Sequence, residues 1–144
     1  MEEGIETTGR RTFDLLQEIL EYHEVPFKID VGGSMISVSG LPGQTFELTL
    51  EDDGTESAVS APESGWHYHF DNPTDATSVF MFLLVGTYEV ITTRRGEKFY
   101  SSFIRDSELG KKAYQTIVGF PNPFKKATTQ VYRNQVVVNL REPD

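Results

Sequence analysis

The residues best suited to chemistry lie between Gly65 and Asp71, in the run Gly-Trp-His-Tyr-His-Phe-Asp. His67 and His69 are two positions apart, and on an extended strand residues i and i+2 project to the same side, about 7 Å from each other. Two neutral imidazole nitrogens at that separation can converge on one zinc, iron or similar transition ion. Asp71 continues on the same side and is the candidate third ligand. The same spacing also describes two exposed histidines on the solvent face of an edge strand, and the residue types leave both readings open.

Other chemistries are less well served. Asp52-Asp53-Gly54-Thr55-Glu56 clusters carboxylates that could bind calcium, yet it lacks the alternate-position oxygens of a twelve-residue calcium loop. Asp-Gly between two alternating segments is instead a hairpin signal. No serine sits in Gly-x-Ser-x-Gly, and Gly32-Gly33-Ser34 lies between short strands and not at a strand-to-helix phosphate turn. Cysteine is absent, which excludes a disulfide framework, a thiolate nucleophile and a thiolate metal site. The acidic residues fall on expected wet faces, where nothing separates the pKa values of a carboxylate pair for acid-base work.

Charge divides the chain. Residues 1–93 carry three basic side chains against seventeen acidic, and residues 94–144 carry ten against five, within a net charge of −9. An acidic amino-terminal part argues against nucleic acid as the main partner, because phosphate binding needs a concentrated cationic face. In the basic part, Arg94, Arg95, Lys98, Lys111, Lys112, Lys125 and Lys126 are interleaved with Phe99, Tyr100, Tyr114, Phe120 and Phe124. Those are the residue types of a single-strand or phosphate surface, which keeps weak nucleic-acid binding open. Attraction between oppositely charged segments of one fold accounts for the same distribution.

The elements that must position these residues centre on Trp66 to Ile104. Val79 to Val85 is an unbroken apolar run, preceded by Asn72-Pro73-Thr74-Asp75 and followed by Gly86. A capping oxygen, a proline at the first helical position and a closing glycine make this a buried helix. Upstream, Trp66, Tyr68 and Phe70 alternate with the histidines, so the aromatic side of that strand faces the core. Downstream, Tyr88–Thr93 and Glu97–Ile104 flank Arg94-Arg95-Gly96 as a hairpin.

Before this centre, Arg11–Glu24 has the apolar spacing of an amphipathic surface helix that Pro26 ends. Segments at 27–31, 36–38, 46–50 and 56–61 alternate and are separated by Gly, Pro and Asp turns, which predicts an antiparallel meander wet on one side. After the centre, Asp106–Val118 has helical spacing and predicts a short helix, although Gly110 weakens it. Gly119–Phe124 contains two prolines and is expected to be a rigid aromatic loop. Thr128–Tyr132 and Gln135–Leu140 are expected to form a last hairpin around Arg133-Asn134.

Two resemblances follow. The His-x-His spacing resembles that of cupins, but Asn72-Pro73 begins a helix where a cupin continues in strands. The order helix, strands, helix, strands resembles that of acidic, dimeric secretion chaperones, from which the final hairpin departs; it implies a protein-binding, self-associating module. The chain of 144 residues is thus read as one α+β domain over residues 11–144, after an acidic tail at 1–10 that is expected to be disordered. The expected function is a non-catalytic binding or adaptor module for a protein partner or a second copy. The alternative is a metal- or small-ligand-binding protein using His67 and His69. The longest apolar run is far short of the roughly 18 residues of a membrane span, and a cytoplasmic location is expected.

Overall fold

The computed structural model describes residues 11–96, 98–117 and 126–138, and of residues 98–100 the backbone only. The acidic tail, the proline loop and the end of the expected last hairpin lie outside the described residues. The described residues form two α-helices and nine strands: α1 (Thr12–Tyr22), β1 (Lys28–Ile29), β2 (Met35–Val38), β3 (Leu48–Asp52), β4 (Ser57–Ala61), β5 (Trp66–Phe70), α2 (Pro73–Val85), β6 (Tyr88–Arg95), β7 (Lys98–Asp106), β8 (Lys112–Ile117) and β9 (Ala127–Tyr132). This is the expected α+β class with a mainly antiparallel arrangement.

Strands β1 to β5 pair in chain order as an antiparallel meander, the first sheet. Cross-strand register puts Ile36, Leu50 and Val59 in one row, and Val38 and Leu48 beside each other, all of them buried. Both helices pack on this sheet, and α2 is enclosed also by α1 and β6. That enclosure explains why α2 is apolar nearly all round: Ala76, Val79, Phe80, Leu83 and Leu84 are buried on several sides of it. Its ends follow local chemistry. The Asn72 side chain accepts from the Asp75 N–H, and Gly86 closes the helix at φ +92°, where an added Cβ would lie 2.3 Å from the Asn134 carbonyl oxygen.

Helix α1 has no side-chain cap of its own. Asp52, from the end of β3, supplies one: its Oδ2 accepts from the Phe13 N–H at 2.9 Å and faces Arg11 Nε at 3.5 Å. The carboxylate is buried there, satisfying an orphan donor at the positive end of the helix dipole.

The second sheet has the order β8-β7-β6-β9. Val90 and Ile104, on its inner face, join the same hydrophobic cluster as the first sheet. The short helix expected over Asp106–Val118 is instead strand β8. Asp106 Oδ1 accepts from the Glu108 and Leu109 N–H groups, and Gly110 at φ +75° returns the chain, so residues 106–111 are a hairpin turn. The long strand β7 then offers a ladder that outweighs helical spacing, and two of the expected helix's apolar positions, Leu109 and Ile117, stay exposed.

The expected last hairpin is also corrected. β9 forms, but its ladder is with β6, and residues 133–138 run on as a strap without regular secondary structure. The strap's backbone donors go elsewhere: Gln135 N–H to Gly43 O and Val136 N–H to Leu84 O. Arg133-Asn134 is no turn, because the fully buried Asn134 side chain accepts from the Thr45 and Phe46 N–H groups at 2.7 and 3.1 Å.

Candidate functional site

Strand β5 carries the histidine pair as alternation requires. Trp66 and Phe70 are buried, Tyr68 is half-buried, and His67 and His69 stand exposed on the opposite face. The two imidazoles meet edge to face with ring centroids 5.8 Å apart. His69 Nδ1 lies 2.8 Å from a carboxylate oxygen of Glu56, just before β4. Sequence reading placed Glu56 in the carboxylate cluster and missed its pairing with His69. A period-two rule sees one strand only, whereas this contact needs the register that sets Ala58 opposite His69. Asp71 stands exposed at the bend after β5, and among the described residues no three His, Asp or Glu side chains are gathered to hold a metal ion.

The surroundings of the pair are polar and small. Register aligns Ser37, Thr49, Ser60 and His67 in one row, and Met35, Glu51, Ala58 and His69 in the next. This is the wet face of the meander. The other side of β5 holds the sheets together: Trp66 Nε1 donates to the Tyr114 carbonyl at 2.8 Å, and the Tyr114 ring packs against Tyr68 and Phe70 at centroid distances of 4.9 and 5.1 Å. Tyr114 sits at φ +52° in a bulge where β8 gives two residues to the single Phe103 of β7. Burial, and then the Asp75 charge, raise the pKa of the Tyr114 phenol.

The acidic cluster is used up by its own turn. Asp53 Oδ1 accepts from the Glu56 N–H, the Thr55 N–H and the Thr55 hydroxyl, which pull its pKa from 3.8 to about 2. Asp52 is turned inward to cap α1.

The basic residues separate into two groups. Arg94 and Arg95 end β6 beside Lys126, whose carbonyl accepts from the Gly96 N–H. Lys112 pairs in register with Arg105, opposite Glu89 at the other end of β6, and lies over the Phe103 ring. Glu89 and Arg95 are six steps apart along the strand, on the order of 20 Å. Lys98, Phe99 and Tyr100 are described by backbone alone, and Lys125, Phe120 and Phe124 lie outside the described residues.

A cleft of about 470 Å³ lies where the strap meets the connections after α1 and β2, lined by apolar side chains apart from His23, Glu24 and Gln135. That lining offers neither a carboxylate pair nor a nucleophile beside a base.

The four outer strands complete the picture. β1 is two residues long. β5 and β8 cover each other, through the Trp66 bond and a second from the Thr116 hydroxyl to the His67 carbonyl. β8 also carries Lys112 and the bulge. β9, Ala-Thr-Thr-Gln-Val-Tyr, has no charge, no proline and no bulge, and all its side chains but Tyr132 are exposed. Among the described residues, nothing pairs with its second edge.

Among the described residues, no helix is long and apolar enough to cross a membrane. Comparison of the chain with protein-family models, with curated proteins and with solved structures found no match.

Proposed function

We propose that this protein is a non-catalytic binding module that takes an extended segment of a partner protein as an added strand on β9. The observation that carries this is the contrast among sheet edges. Proteins blunt an open edge with brevity, charge, a bulge or a cover, because unpaired N–H and C=O groups template further strands. Here β1 is short and β5 and β8 shield each other, while β9, among the described residues, has none of these devices. Six residues of open backbone give affinity, and alternate side chains such as Val131, which is 55% exposed, give specificity. Cations lie near both ends of the strand, Lys126 at the start and Arg133 at the finish, which favours a partner segment with acidic flanks.

The test uses fluorescent ten-residue peptides of alternating valine and threonine, flanked by glutamate in one and by lysine in the other. The glutamate-flanked peptide is expected to bind saturably, to weaken with salt and to protect β9 amides from hydrogen exchange. Val131→Glu is expected to abolish this. Indifference to flank charge, or no added protection in β9, rejects the reading. A dimer in light scattering with β9 amides already protected would make the occupant a second copy.

A further inference from the structure

We propose that His67 and His69 form a site for a divalent transition ion, zinc or copper(II), with Glu56 as the carboxylate that orients His69. This is independent of the β9 edge. A metal-to-nitrogen bond of about 2.0–2.1 Å places a ring centroid about 3 Å from the ion, so two rings on one ion have centroids no more than about 6 Å apart. The observed 5.8 Å lies within that limit, and both side chains are exposed, so that His67 can turn from its edge-to-face position to bring a nitrogen onto an ion held by His69. The second observation is the tautomer. The carboxylate of Glu56, 2.8 Å from Nδ1 of His69, accepts from the N–H there, which leaves the lone pair of the neutral ring on Nε2. A ring N–H given to a carboxylate is the outer-shell arrangement that orients metal-bound histidines and raises their basicity. Neutral imidazole suits ions of borderline softness, and the remaining positions are open to water.

Calorimetric titration of the full-length, tag-free chain with zinc ion is expected to show one saturable site per chain. His67→Ala and His69→Ala are each expected to remove it, and Glu56→Gln to weaken it about 10- to 100-fold. All three positions are exposed, and an unchanged circular dichroism spectrum verifies that each variant is folded. With copper(II), electron paramagnetic resonance is expected to show two coordinated imidazole nitrogens. Absence of saturable binding, binding that survives when His67→Ala and His69→Ala are combined, or a spectrum with fewer than two such nitrogens overturns the site. Unchanged affinity in Glu56→Gln overturns the role given to Glu56.

Discussion

In the first sheet, β2, β3 and β4 turn Ile36, Val38, Leu48, Leu50, Val59 and Ala61 toward two helices, whereas the second sheet turns a buried Thr92 and Ser102 inward beside Val90 and Ile104. The second sheet is fastened by directional bonds: the Thr92 hydroxyl to the Ser64 carbonyl at 2.7 Å, and Trp66 Nε1 to the Tyr114 carbonyl. One layer is therefore held by apolar volume and the other by polar fasteners. Apolar contact tolerates small shifts, while a hydrogen bond fails steeply with angle and distance. Damage in the first sheet should scale with volume removed, and damage in the second with partners lost.

The largest expected effect is in the apolar layer. Phe80→Ala, at a fully buried position of α2, should cost about 3–5 kcal/mol, read by urea denaturation. If it costs less than Asn134→Ala, the comparison breaks. Asn134→Ala leaves the Thr45 and Phe46 N–H groups without their acceptor, a loss of about 2–4 kcal/mol, and should speed hydrogen exchange in the strap. Asp52→Ala removes the cap on α1 and is expected to cost about 1–2 kcal/mol. Trp66→Phe keeps most of the volume and deletes one fastener. About 1 kcal/mol should be lost, with faster exchange confined to β8, and a uniform change across both sheets would contradict the division.

The smallest effect is acid-dependent and belongs to the meander turns. Asp53 has its folded pKa depressed to about 2, and the carboxylate of Asp30 is lowered by the Met35, Ser34 and Gly33 N–H groups. A depressed folded value means that the carboxylate supports the fold above the unfolded value of 3.8 and loses that support as pH falls through the folded one. Protection factors of the β3–β4 turn amides, which are relative to the intrinsic exchange rate at each pH, should therefore fall between pH 4 and about pH 2, and Asp53→Asn should flatten that dependence.

The first sheet and α2 were legible because their signals are local. Period-two alternation set the faces of β2 to β5, and Asn72, Pro73 and Gly86 set the ends of α2. The second sheet was only half legible, because β6 and β7 meet across a short turn and announce themselves, while β8 and β9 are decided by distant partners. Tyr114 reads as one residue of a helical stripe until the Trp66 indole is placed next to its carbonyl. Gln135 and Val136 read as strand until Gly43 and Leu84 supply the bonds. At the histidine pair, the shared face could be read from spacing, but Glu56 needed the cross-strand register.

Asp52 reaches Phe13 across 39 positions of chain, and this bears on the order of assembly. An isolated helix of 11 residues is marginal in water, and α1 gains its cap only once β3 has delivered the carboxylate. Although α1 precedes those strands in the chain, it is thus expected to consolidate after them. In refolding kinetics, Asp52→Ala should then quicken unfolding and leave the folding rate nearly unchanged.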